Sequence, residues 1–159
     1  MVDGIRDVFL LSTTYHLPPT KMAGLFNLQI VTPEREIFNG PVEMVALPGS
    51  DGSFGVMRNH APLIASLDAG QVTITDDQGQ DMFMAIGGGF FQVSDNQAMV
   101  LADSAEDRAE IDVARAQEAE QRARARLAGQ MGAEYELQRE RAESALKRAQ
   151  ARLRVAAGR

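Results

Sequence analysis

The chain changes character near Asp103–Ser104, and that seam constrains its fold more than any other feature. All six prolines and eleven of the fourteen glycines stand before it. After it there is no proline, and fifteen of 56 residues are alanine. Proline and glycine break helix interiors, whereas alanine is the best helix former. The first part is therefore expected to be built of short strands and turns, and the second of helices. Charge divides at the same place. Residues 1–103 carry four basic and twelve acidic side chains; residues 104–159 carry twelve and ten.

The totals exclude several classes. A chain of 159 residues holds one core of ordinary size with room for an appendage. Its net charge of −6 argues against nucleic acid as a partner. The absence of cysteine removes disulfides and thiolate chemistry, and two histidines make a poor start for a zinc site. No apolar run approaches a membrane span, so direct membrane insertion is not expected. Residues 1–22 lack a usable period. They read as an upstream extension, an expression remnant or a disordered tail, with Met22-Ala23-Gly24 resembling a second start.

From Leu25 onward the apolar period is two. Strand candidates are Phe26–Ile30, Val42–Ala46, Ser53–Val56, Leu63–Leu67, Val72–Thr75, Met82–Ile86, Phe90–Val93 and Met99–Ala102. Asp76-Asp77-Gln78-Gly79 and Ser94-Asp95-Asn96 are the turns of hairpins. Short strands at about ten-residue spacing predict a β-sandwich or flattened barrel. Past Ser104 the period becomes 3.6. Ser104 or Asp107 is the expected N-cap, and Glu106, Asp107 and Glu110 suit the positive end of the helix dipole. Gly129 and Gly132 stop this helix, and a second runs from about Ala133 to Val155. The two form an antiparallel hairpin. The expected class is α+β, divided into a tail (1–22), a β-sandwich (23–103) and a helix-turn-helix arm (104–159). An arm whose core positions are mostly alanine, with few leucines (Leu127, Leu137, Leu146, Leu153), buries little apolar area and should dock weakly.

The arm carries an arginine stripe. On a helical wheel starting at Asp112, the residues Arg108, Arg115, Arg122 and Arg126 lie with it in a sector about 80° wide. Ala116, Ala119, Ala123 and Leu127 form the adjoining seam with the second helix, which presents Arg148 and Arg152 at i,i+4 spacing. Two readings fit. The stripe is a solvated face with helical ion pairs, Asp112–Arg115 among them. Alternatively it is a polyanion site, because clustered guanidiniums repel one another unless an anion sits between them.

Elsewhere the chemistry is sparse. Gly87-Gly88-Gly89 is not a phosphate loop, because a strand follows it and no Lys-Ser/Thr comes after. A bulge or tight crossing of strands is the better reading. His60 has no partners at triad spacing. Asp76, Asp77 and Asp81 lack a calcium-loop ladder. No catalytic constellation and no metal site is expected, and a body with a movable arm suggests binding and switching rather than catalysis.

Taken together the pieces resemble the epsilon subunit of the bacterial F-type ATP synthase, over about Ala23 to Ala156. The residues that carry the resemblance are Val31-Thr32-Pro33-Glu34, Val42-Glu43-Met44-Val45 and Gly52-Ser53-Phe54-Gly55-Val56 leading into Asn59-His60-Ala61-Pro62-Leu63. Ile86-Gly87-Gly88-Gly89-Phe90 and Val100-Leu101-Ala102 continue it, then Ala105–Ala116 with Ile111-Asp112-Val113-Ala114-Arg115-Ala116, and Ala145–Ala149. The resemblance implies a flattened ten-stranded barrel that binds the gamma subunit and the ring of c subunits. It also implies an arm that inhibits ATP hydrolysis when extended against the acidic surface of the catalytic beta subunits. No cofactor is required, but ATP is a possible ligand of the folded hairpin. By motif position Glu106, Asp112, Arg115, Ala116, Arg122, Arg148 and Arg152 would line its site. Ser53, His60, Ala61 and Pro62 would face a partner. The expected location is peripheral, on the cytoplasmic face of the bacterial inner membrane, in a proton-translocating complex. Ser53 stands where many members have Glu, and Arg58-Asn59 where Pro-Gly is common. The seam at Asp103–Ser104 would then be a hinge.

Overall fold

A computed structural model describes residues 24–129 and 135–158. The expectation about residues 1–22, the stop at Gly132 and a helix start at Ala133 fall outside the described residues. Eight strands precede two helices: β1 (Phe26–Val31), β2 (Glu36–Val42), β3 (Met44–Gly49), β4 (Gly52–Met57), β5 (Leu63–Thr75), β6 (Asp81–Ser94), β7 (Gln97–Ala102), β8 (Ala105–Asp107), α1 (Val113–Ala128) and α2 (Tyr135–Ala156). The hydrogen-bonded order is β2-β1-β7-β6-β5-β3-β4, with β8 on β6. Every pairing is antiparallel except β1 with β7.

Two strands are longer than their apolar runs foretell. Leu63–Leu67 and Val72–Thr75 are the ends of one 13-residue strand, and Met82–Ile86 and Phe90–Val93 are the ends of one of 14. Each serves both layers of the sandwich. The first half of β5 and the last half of β6 join β7, β1 and β2, while the other halves join β3, β4 and β8. Conversely, the run Val42–Ala46 divides at Glu43: Val42 ends β2 and Met44 begins β3. Alternation carries the core. Leu28, Ile30, Val45, Leu47, Val72, Ile74, Phe91 and Val100 point inward between the layers and are buried. Phe54 meets Phe91 edge to face, with ring centroids 5.7 Å apart.

The glycine run marks the place where β6 changes partners. Met84–Ile86 pair with β8, and Gly89–Ser94 pair with β7. Between them the Gly87 N–H donates to the Ser104 carbonyl at 2.9 Å, and the Asp103 N–H donates to the Gly88 carbonyl at 3.0 Å. Gly88 and Gly89 have φ of 115° and 139°. This is the tight crossing that the sequence suggests, and no helix N-terminus follows it. It also moves a boundary. Asp103 and Ser104 are bonded into the sheet, and Ala105–Asp107 form its last strand. The change of composition therefore precedes the end of the sandwich. Any hinge lies beyond Asp107, not at the seam.

Candidate functional site

The link into α1 is built by two acidic side chains. Asp107 Oδ1 accepts from the N–H of Ala109 at 2.8 Å and of Glu110 at 3.1 Å, closing a turn. Asp112 then caps α1, its Oδ1 accepting from the Arg115 N–H at 3.0 Å. The cap is thus neither Ser104 nor Asp107. Ser104 is held by the sheet and Asp107 ends β8. Glu106, Asp107 and Glu110 precede the helix, and its first turn holds no acid. The expected Asp112–Arg115 ion pair is likewise a cap to the backbone. Replacing Asp112 by alanine should cost about 1 kcal/mol of helix stability. Amide hydrogen exchange should show it as faster exchange confined to the start of α1.

The helices meet through alanine. Ala116 and Ala123 of α1 and Ala142 and Ala149 of α2 are buried, while Leu127, Leu146 and Leu153 are only half-buried. Leu137 has no described side chain. Close backbone approach through methyl groups leaves the longer side chains at the rim. The hairpin lies on the outer face of the layer holding β8 and the first half of β6. A small cluster of Ala85, Ile111, Ala151 and Val155 forms the contact, with Phe83 and Ala156 against it. Three ion pairs surround this cluster: Arg152–Glu106, Lys147–Asp68 and Arg35–Glu110.

Between the two helices and the β8–α1 link lies a cleft of about 560 Å³. Glu106, Asp112, Arg115, Ala116, Arg122, Arg148 and Arg152 all line it, so the structure brings every residue of the proposed nucleotide set to one place. Arg152 grips Glu106 through two nitrogens, its Nε lying 2.9 Å from Oε2 and 3.1 Å from Oε1. The hydrogen bond to Glu106 raises the Arg152 pKa against the opposing effect of burial, and the Glu106 charge adds to the rise. The guanidinium is therefore charged at any workable pH. Arg148 donates to Ser144 Oγ at 2.7 Å, and Arg122 pairs with Glu118 at 3.3 Å on an exposed face. Neither Arg115 nor Arg148 has a carboxylate partner among the described residues. Two uncompensated guanidiniums facing one cleft attract an anion with several acceptor oxygens.

Two stripe members do not join. Arg108 lies in the turn before α1, where a helical wheel has no meaning, and Arg126 is exposed near the end of α1. Three lining residues escaped the sequence reading. Ala119 and Ala145 form small-residue walls, and Glu110 stands at the mouth. Ala119 was legible as seam, but the lining role of Glu110 had no local signal.

The partner-facing candidates flank β4 at its two ends. Ser53 is exposed on β4, and Ala61 and Pro62 are exposed in the loop before β5. His60 Nδ1 lies 2.8 Å from the Ala61 carbonyl oxygen. That loop is tied to the β6–β7 turn, where the Asn59 N–H donates to Asn96 Oδ1 at 2.7 Å. Among the described residues no group of three or more His, Asp or Glu could hold a metal, and no helix is long and apolar enough to cross a membrane.

Fold and cleft together define a class: a β-sandwich bearing a docked helical hairpin with an anion-suited groove at their junction. Comparison with known proteins is specific. Residues 25–108 match the ATP synthase delta/epsilon chain beta-sandwich domain, and residues 109–157 match the long alpha-helix domain of the same chains. The ATP synthase epsilon chain of Syntrophomonas wolfei is 45% identical over 130 residues, covering 82% of this chain and 93% of that one. The epsilon chain of Desulfitobacterium hafniense is 42% identical over 135 residues, covering 85% and 98%. In fold, the chain is similar to one in the Euglena gracilis mitochondrial ATP synthase OSCP/F1/c-ring structure, with a TM-score of 0.70 at 23% identity, covering 94% of this chain and 88% of that one. It is also similar to a chain of the Tetrahymena thermophila central stalk/c-ring structure, with a TM-score of 0.53 at 15% identity, covering 83% and 93%. The chain belongs to the ATP synthase delta/epsilon chain family, and its curated relatives are epsilon chains, non-catalytic subunits of that complex.

Proposed function

We propose that the chain is the central-stalk epsilon subunit of a proton-translocating F-type ATP synthase. In this reading the sandwich couples rotation between the c ring and the catalytic head. The arm inhibits ATP hydrolysis when extended, and ATP in the cleft holds it docked. The observation that carries the ATP part is the cleft itself. Its volume of about 560 Å³ falls within the roughly 300–1,000 Å³ of small-molecule sites, and Arg115 and Arg148 line it without carboxylate partners among the described residues. Their guanidiniums would hold phosphates, while Ala116 and its small neighbours leave space for a base.

Partner surfaces follow from exposure. Ile64, Phe90, Met99 and Leu101 lie on neighbouring strands of the outer face not covered by the hairpin, and all four are exposed. Contiguous apolar side chains of this kind fit a protein partner, here the gamma subunit. Exposed Ser53, Ala61 and Pro62, with His60, would contribute to contact with the c ring, placing the chain peripherally on the cytoplasmic face of the bacterial inner membrane. The cations near the C-terminus support two exclusive uses. Docked, Lys147 and Arg152 pair with Asp68 and Glu106. Extended, the same charges would face the acidic surface of the beta subunits.

Titration of the isolated protein with ATP tests the sensing part. Micromolar to millimolar binding is expected, weakened at least tenfold by Arg115→Ala or Arg148→Ala, since each removes a charge-assisted contact of about 1.5–3 kcal/mol. No binding at millimolar ATP would favour the rival reading of a permanently docked, purely structural hairpin. Truncation tests inhibition, and should follow Arg108 so that β8 is spared. An assembled enzyme whose hydrolysis is unchanged by that truncation would overturn the inhibitory role.

A further inference from the structure

One residue of the sandwich that does not line the cleft contacts a residue that does. Arg35 follows β1 in the turn Thr32-Pro33-Glu34-Arg35. Its position is set by Thr32, which is buried. The Thr32 N–H and hydroxyl both donate to the Arg35 carbonyl, at 2.9 and 3.0 Å, and the Arg35 N–H donates to Thr32 Oγ1 at 3.2 Å. The guanidinium so presented pairs with Glu110 Oε1. Glu110 Oε2 accepts from the Asp107 N–H at 3.3 Å, so both carboxylate oxygens are engaged. Glu110 lines the cleft beside Arg115 and Arg148, where a negative charge opposes an anion.

We propose that Arg35 is a positioning residue for the polyphosphate of the cleft: it holds and neutralises Glu110, and so makes anion affinity depend on the sandwich. The inference rests on the cleft binding a polyphosphate. It assigns to the turn at Thr32–Arg35 a role that no contact within the hairpin supplies. A docked arm has Glu110 compensated. An arm lifted away leaves Arg35 behind with the body, and the carboxylate then faces the arginines of the cleft unopposed. Ligand binding and docking would favour each other through this pair, as linkage requires.

The test is a double-mutant cycle on the full chain, titrated with ATP and with inorganic tripolyphosphate. Arg35→Ala should weaken both ligands by about three- to fivefold, the scale of one exposed charge pair. In a Glu110→Gln background the same substitution should change affinity less than about 1.5-fold. Arg35→Lys, which keeps the charge, should restore at least half of the loss. Equal losses in both backgrounds would overturn the inference while leaving the nucleotide reading intact. Tripolyphosphate binding without ATP binding would sink the nucleotide reading, and the cycle would then be decided on tripolyphosphate. Binding of neither would sink both.

Discussion

Gly89→Ala is expected to remove a large part of the sandwich's stability. Gly89 has φ of 139°, which L-residues rarely adopt. A Cβ there would lie 2.0 Å from the Leu101 carbonyl oxygen and 3.0 Å from the Ala102 Cα. Both obstacles are backbone atoms of a paired strand, so no rotamer change relieves them. Conformational strain of about 1–3 kcal/mol adds to about 1–3 kcal/mol of overpacking. Together they come to about 2–6 kcal/mol, which reaches the lower end of the 5–15 kcal/mol of a whole domain. Gly79→Ala is the control. Its φ is 77° with nothing within 4 Å of a Cβ, so it tests strain alone and should cost about 1–2 kcal/mol. Thermal unfolding of the two variants separates the terms. A Gly89→Ala protein melting within a few degrees of Gly79→Ala would mean that β6 can shift away from β7 at the crossing.

Val155→Asp should release the arm without unfolding the sandwich. Val155 is fully buried, with Ala85, Ile111 and Ala151 about it. An unpaired carboxylate there costs several kcal/mol. Against this, docking rests on few large apolar groups. Burial of Ile111 and Val155 contributes about 1.5–3 kcal/mol each, and the ion pairs, being largely exposed, about 0–1 kcal/mol each. Undocking is therefore the cheaper response, because the main core lies between the layers and shares none of these four residues. Hydrogen exchange should rise in α2 while the sandwich strands, β6 included, stay protected. ATP affinity should fall at least tenfold, since Glu106 and the arginines are held on different elements. Retained protection of α2 would show that the hairpin docks through contacts other than this cluster.

Local chemistry explains what was legible. Asp76 accepts from the N–H groups of Gln78 and Gln80, both at 2.8 Å, and Asp95 and Asn96 take φ of 50° and 60°; these hairpin turns are properties of a few adjacent residues. The gathering of Arg115 and Arg122 on one side of α1 follows from helical spacing alone. The misreadings share one cause. Val42 and Met44 look continuous, yet pair with different strands. Two pairs of short runs are single long strands, because glycines let β6 pass between layers. Ala105–Asp107 reads as helix by composition but gains more from pairing with Met84–Ile86.

Sequence by itself determined the two-part organisation and the turn positions, which depend on a residue's own backbone preference or on a period of two or 3.6. The seven candidate-site residues that line the cleft come from the resemblance to the epsilon family, and the helical period supplies only part of them. Only the tertiary structure decided where the body ends, that alanines rather than leucines close the hairpin, and that Arg35 meets Glu110 across 75 positions of chain. Such contacts join segments whose local preferences are independent of one another. Their free energy arises only when the chain closes on itself, so no window of sequence contains them.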